Sequence, residues 1–201
     1  HQLHRRQRQM CIRDSVYTLQ FIGFLGISVQ VLRRKGIHLF VGVAIGLICR
    51  AIILPTEPIL ENDFWRYLWE GRVVAAGMNP YVLAPDSPLL SHLADVFYWN
   101  KIGYPHLPTI YPPFAQLVFV INHWLAPDSL FGLKLLLLLF DLGTAWVLYR
   151  WLVQSGKDGK LCLLYFLNPL VFKEVTNSAH IDVVAMFFCV LSLFLMWRAM
   201  E

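Results

Sequence analysis

Between residues 61 and 81 the chain reads ENDFWRYLWEGRVVAAGMNPY, acidic, arginine-bearing and aromatic, between runs of membrane-grade hydrophobicity. Placed on a helix at about 100° per residue, Asp63, Arg66, Tyr67 and Glu70 share one narrow arc, with Phe64, Trp65 and Leu68 on or near the opposite side. Such a helix does not span a bilayer. It suits a shelf at the membrane surface, aromatics toward lipid or protein, carboxylates and guanidinium toward an aqueous cavity. A carboxylate there can accept a proton from a hydroxyl, and a guanidinium fork matches phosphate. The alternative for Asp63 is a helix N-cap or a surface partner of Arg66. Arg66 reads equally as a salt link at i,i+3 and i,i+4 to Asp63 and Glu70. A second polar cluster follows late in the chain: Lys173, Glu174, Asn177, His180 and Asp182. Ionisable groups so near a membrane are functional candidates; His180 reads either as a ligand for substrate or as a satisfied interfacial histidine.

These residues need a scaffold, and the apolar runs supply one. With 57% hydrophobic residues and a mean hydropathy of +0.54, the chain is too apolar for an ordinary soluble domain and is expected to be an all-α integral membrane protein. The stretches 16–32, 37–54, 129–151 and 182–197 are the candidate crossings. The stretch 112–126 reaches only about 22 Å as a helix, and 161–172 carries the helix-breaking pair Asn168-Pro169. Between them, 55–111 is a long polar loop fixed by Pro55, Pro58, Pro80, Pro85, Pro88, Pro105 and Pro108. If every apolar run crosses, His180 and Asp182 fall on the opposite side from Asp63. If 112–126 only re-enters, Arg150, Lys157 and Lys160 lie inside with the basic turn 33–36. The segment 173–182 then emerges beside Asp63. The second arrangement obeys the positive-inside rule and is the one expected. Asp141, inside a crossing, needs a partner, Lys134 or Arg50.

The formal charge of +4 does not point to nucleic acid. Residues 5–15, RRQRQMCIRDS, look like a translated transposon-end sequencing adapter, so 1–15 are set apart from the native domain 16–201. Without them the 17 basic and 13 acidic residues fall by four and one, to 13 and 12. Cys49, Cys162 and Cys189 sit in apolar runs without metal or disulfide spacing and read as small buried hydrophobes.

Asp63-x-x-Arg66-Tyr67-x-Trp69-Glu70-Gly71, then Gly77-x-Asn79-Pro80-Tyr81, resembles the first extracytoplasmic loop of bacterial polyprenyl-phosphate-dependent mannosyltransferases of the GT-C superfold. Leu107-Pro108-Thr109-Ile110-Tyr111-Pro112-Pro113 looks like the same family's motif before its next membrane segment. Lys134 through Asp141-Leu142, Tyr149-Arg150, Leu167-Asn168-Pro169 and 177–182 are similar to the order in eukaryotic glycolipid-anchor mannosyltransferases. The likeness covers about 37–197. Many relatives carry paired acids at Asn62-Asp63 and Asp-Gly at Glu70-Gly71, which leaves Asp63 as the remaining acid and weakens a metal-binding DxD.

The resemblance implies a GT-C-like helix bundle, multi-pass in the cell membrane, with 55–111 as a catalytic loop facing the extracytoplasmic side and holding interfacial helices. It implies inverting transfer of mannose from a polyprenyl-phosphate donor to a hydroxyl of a glycan or glycolipid acceptor, with Asp63 as general base. Arg66, Tyr67, Glu70, Asn79, Tyr81, Tyr111, His180 and Asp182 would bind substrate. Tyr67, Trp65 and Trp69 could stack on sugar rings, the two tryptophans being expected rather as interfacial anchors. No cofactor or divalent metal is expected, since a lipid monophosphate can leave with cationic help, and Glu61 with Asp63 would hold Mg²⁺ only weakly. The chain is far shorter than whole family members and is expected to be an inactive N-terminal piece. The rival reading, a transporter or lipid-handling protein without covalent chemistry, would spread polar residues across the midplane; here they gather in one loop and one helix edge.

Overall fold

The computed structural model describes residues 2–33, 38–58 and 61–201, and every regular element among them is helical. α1 (Gln2–Leu32) and α2 (Leu39–Ile53) lead into the polar loop, which holds α3 (Asp63–Ala75) and 3₁₀ turns at Pro88–Leu93 and Trp99–Lys101. Then come α4 (Pro113–Leu125), α5 (Leu130–Gln154), a 3₁₀ turn at Gly159–Cys162, α6 (Leu163–Phe166) and α7 (Pro169–Val171). A π-helical turn, Phe172–Asn177, precedes α8 (Asp182–Met200). Apart from Ser15, the side chains of the adapter-like stretch lie outside the described residues, as does the basic turn beyond Arg33. α5 and α8 are long and apolar enough to cross a membrane; α2 and the apolar part of α1, Tyr17–Leu32, are shorter.

Local chemistry sets the ends of the site helices. Asp63 in the first turn of α3 and Arg72 in its last complement the helix dipole. Gly77, at φ +74°, closes α3 with the paired bonds Gly77 N–H to Val74 O (2.9 Å) and Met78 N–H to Val73 O (3.1 Å). That is a Schellman ending, which favours glycine because the backbone is left-handed. Pro112-Pro113 opens α4, and the Ser129 hydroxyl caps α5 by accepting from Gly132 N–H at 3.1 Å.

α3 is not a shelf with an open aromatic face. It packs along α4, and the loop folds back over its far side, so Phe64, Tyr67, Leu68, Trp69 and Val73 all join the core. The expectation of membrane anchors at Trp65 and Trp69 is corrected accordingly. Trp69 is 1% exposed and lies against Trp99, ring centroids 4.8 Å apart. Trp65 stacks on Tyr98 at 5.5 Å with Phe97 at its edge. Burial of such rings stabilises by about 25 cal/mol per Å² of apolar surface. The close approach of α3 to α4 depends on Gly71, where a Cβ would run into the carbonyl of Phe119. Gly71→Ala is expected to destabilise by about 1–3 kcal/mol, read as a lower thermal midpoint, because backbone, not a flexible side-chain tip, must move.

Two polar clusters pin the rest. Arg50 Nε donates to Asp141 Oδ2 at 2.6 Å, and the Tyr165 hydroxyl donates to Asp141 Oδ1 at 2.6 Å. Of the two partners expected for Asp141, it is Arg50 that binds. Lys134 Nζ instead donates to Thr56 O (2.5 Å) and Leu54 O (3.4 Å), holding the chain where it leaves α2. Asn177 Nδ2 reaches the same segment, at Thr56 Oγ1 (3.0 Å) and Glu57 O (3.1 Å). The break expected at Asn168-Pro169 is present between α6 and α7, with Asn168 Oδ1 accepting from Leu170 N–H. Cys162 is buried and Cys49 partly so, but Cys189 is exposed on α8 and does not pack as a core hydrophobe.

Candidate active site

The open end of α3 presents Asp63, exposed, between two cavities. The first, about 460 Å³, brings Asp63, Tyr67 and Tyr111 together with His180 and Asp182. Its remaining wall is apolar, from Phe114 on α4 to Val184, Ala185 and Phe188 on α8. The second, about 380 Å³, lies on the other side of Asp63 beside Asn62, Arg66 and Tyr104. Asp63, Ile110 and Tyr111 belong to both. Asp63 and the second polar cluster, His180 with Asp182, thus share one cavity.

Backbone geometry delivers His180 there. The π turn Phe172–Asn177 is followed by Ala179 at φ +59°, fully buried, a conformation that costs a non-glycine residue about 1 kcal/mol or more. The strained turn is held by Ser178 N–H to Lys173 O (2.9 Å) and His180 N–H to Glu174 O (3.0 Å). His180 Nδ1 then lies 3.1 Å from Glu174 Oε2, and Lys173 Nζ donates to Glu174 Oε1 at 2.8 Å. Lys173 also faces Glu61 at 4.0 Å. The cluster couples a cation and an imidazole through one carboxylate.

Arg66 and Glu70 form the i,i+4 pair, Nε to Oε1 at 2.6 Å. The rest of the guanidinium donates to backbone: Gly103 O (3.4 Å), Tyr104 O (3.1 Å) and Leu107 O (2.6 Å). Glu70, 1% exposed, accepts further from the Thr109 hydroxyl (2.7 Å) and from Gln116 Nε2. Its oxygens are thus committed to protein partners, and it lines neither cavity, contrary to the substrate contact expected of it. Asn79 and Tyr81 are also off both cavity walls. Asn79 Oδ1 accepts from Tyr81 N–H (2.9 Å) in a side-chain turn, and the Tyr81 hydroxyl donates to Tyr111 O at 2.7 Å. They brace Tyr111 from behind.

Tyr67 and Tyr111 meet edge to face at 5.0 Å. Burial first, with Asp63 nearby, pushes the Tyr111 hydroxyl up to about 12; burial and its Tyr111 neighbour raise Tyr67 further. Both therefore stay protonated at neutral pH and serve as hydrogen-bond donors. Among the described residues, no three His, Cys, Asp or Glu side chains gather as a metal ligand set. Thr109, Gln116, Ile110 and the strained Ala179 enter the site without having been expected. Thr109 and Ile110 lay within the motif 107–113, and Gln116 stood out as a polar residue inside a short apolar helix; Ala179 carried no signal.

No curated protein and no solved structure matches the chain. A family model does, over residues 22–200: the N-terminal domain of alpha-(1->6)-mannopyranosyltransferases. That span takes in both cavities and every residue on their walls, and with it the chain belongs to the alpha-(1->6)-mannopyranosyltransferase family, through that family's N-terminal domain.

Proposed function

We propose that this domain carries the catalytic carboxylate of a GT-C-type mannosyltransferase that takes mannose from a polyprenyl-phosphate donor. The observation that carries the reading is the first cavity, where the exposed carboxylates of Asp63 and Asp182 and the imidazole of His180 meet an apolar wall supplied by α4 and α8. A lipid-linked sugar has the same division, a polar head on a greasy tail. The donor's mannosyl phosphate would sit between Asp63 and His180, and its first isoprene units along Phe114, Ala185 and Phe188. Several more units exceed the cavity and run into the bilayer beside α8, a helix left mostly uncovered.

In the reaction, Asp63 accepts the proton of an acceptor hydroxyl as that oxygen attacks the anomeric carbon. The bond from that carbon to the phosphate oxygen breaks with its electron pair, and polyprenyl phosphate leaves with inverted configuration at the sugar. Tyr67 and Tyr111, held protonated, donate hydrogen bonds to the sugar or phosphate oxygens. His180, backed by Glu174 and Lys173, meets the developing phosphate charge, a role that Arg66 is too committed to fill. The site opens on the extracytoplasmic side, opposite Arg150, Lys157 and Lys160.

The test uses the full-length protein in membranes supplied with radiolabelled polyprenyl-phosphate mannose and an α-(1→6)-linked mannan oligosaccharide. One added mannose of inverted anomeric configuration is expected. Insertion without transfer, with lipid carried but uncleaved, would instead indicate a lipid-handling protein.

A further inference from the structure

Toward the cavities, Arg50, Arg66, Arg72 and Lys173 pair with carboxylates, and Lys134 with backbone carbonyls. The cations at the far ends of α5 and α8 are placed differently. Arg150 stands exposed in the last turns of α5, Lys157 and Lys160 follow it, and Arg198 is exposed near the end of α8. No carboxylate among the described residues pairs with any of them. Asp158, the acid between them, accepts from the Lys160 N–H at 2.9 Å and so caps its own turn. Val31 shares a core with Leu161 and Leu163, which brings the exposed Arg33 to the same end. That end is also aromatic. Trp151 lies 6.2 Å from both Phe194 and Trp197, ring centre to ring centre, so the two helices close on a cluster of rings. Arg198 sits over Phe194 at 6.0 Å and Arg150 over the exposed Trp146 at 5.4 Å. Asp182 opens α8 and Arg198 lies near its end, so the patch stands about 24 Å from the first cavity.

We propose that this end of α5 and α8 binds an anionic phospholipid of the leaflet facing away from Asp63. Arg150, Lys157, Lys160 and Arg198 take its phosphate and headgroup, and Trp146 and Trp197 lie along the glycerol and the first acyl carbons. The proposal needs α5 and α8 to cross the membrane; it does not depend on what Asp63 does. Charge selects the partner, because cations without counter-ions at a membrane surface draw anionic lipid in preference to zwitterionic lipid. A guanidinium fork matches two phosphate oxygens. Tryptophan rings favour the depth between headgroup and hydrocarbon, which a soluble anion would leave unused. Cations also complement the negative C-terminal ends of helices. Arg198, in the last turn of α8, can fill that role, but it calls neither for Lys157 and Lys160 beyond α5 nor for the exposed Trp146.

Lipid retention tests this. Full-length protein is placed in nanodiscs of phosphatidylcholine with a minor share of phosphatidylglycerol and released into mild detergent. The lipids it keeps are identified by native mass spectrometry. The wild type is expected to keep phosphatidylglycerol at about tenfold its bulk share, and Arg150→Gln with Arg198→Gln to fall close to the bulk ratio. Arg150→Lys with Arg198→Lys, which keeps the charge, should hold most of the enrichment. Thermal unfolding of the same proteins separates lipid selection from folding, since service to the helix ends alone would move the midpoint and leave the lipid ratio unchanged. Wild-type lipid at the bulk ratio overturns the proposal, as does a glutamine variant enriched like the wild type. So does displacement of the lipid by glycerophosphoglycerol, which carries the headgroup without the tails and would mark a site for soluble anions.

Discussion

Asp63→Asn is expected to lower kcat for mannosyl transfer by about 10²–10⁴-fold, the usual contribution of a positioned general base. Asparagine keeps the shape and the polar contact at the start of α3 but cannot take the proton. Stability should barely change. The side chain is exposed, and its contribution at the helix start, where Asn62 is the cap, is worth about 0.3–1 kcal/mol. Donor and acceptor KM should move little, because both cavities keep their walls. The measurement is transfer by full-length protein in membranes, paired with thermal unfolding of the same preparation. Near-normal kcat in a folded Asp63→Asn protein would remove this carboxylate from the chemistry and transfer the question to Asp182 and His180, which line the same cavity.

What could be seen in the sequence, and what could not, follows from the range of the interactions. The arc of Asp63, Arg66, Tyr67 and Glu70 was legible because helical period alone places them together. The break at Asn168-Pro169 was legible because proline acts on its own neighbours. The place of Glu70 away from both cavities, and the ties of Arg66 to backbone, were not legible because their partners come from far along the chain: Gly103, Tyr104, Leu107 and Thr109 from the folded loop, and Gln116 from α4. Trp65 and Trp69 misled for the same reason. Aromatic residues beside apolar runs suit a membrane surface and a loop core equally, and only the return of Trp99 and Tyr98 over α3 decides between them. The π turn and left-handed Ala179 had no signal at all, since neither Phe172–Asn177 nor alanine favours those shapes locally. Yet that turn is what carries His180 to Asp63.

Asp141→Leu is expected to cost about 3–5 kcal/mol of stability, the larger of the structural effects, because it leaves the Arg50 guanidinium buried without its counter-ion. Arg50 is 1% exposed and Asp141 is fully buried. Two of the bonds that remain to Arg50 are to backbone, Gly46 O at 3.2 Å and Phe166 O at 2.9 Å, neither of which cancels its charge. The guanidinium carbon also lies 4.0 Å from the ring centre of Phe166 and 4.7 Å from that of Phe172. Phe172 begins the π turn, so a displaced Arg50 disturbs the segment that ends at His180. Asp141→Leu should therefore lose transfer activity along with stability. The double change Arg50→Met with Asp141→Leu removes both charges and should recover most of the stability, since two apolar side chains fill a buried site that a lone cation cannot. Thermal unfolding of the three variants in one detergent makes the comparison. A single Asp141→Leu protein within about 1 kcal/mol of wild type, or a double variant no better than the single, would show that Arg50 finds water or another partner there. The pair would then not be what holds α2, α5 and the π turn in register.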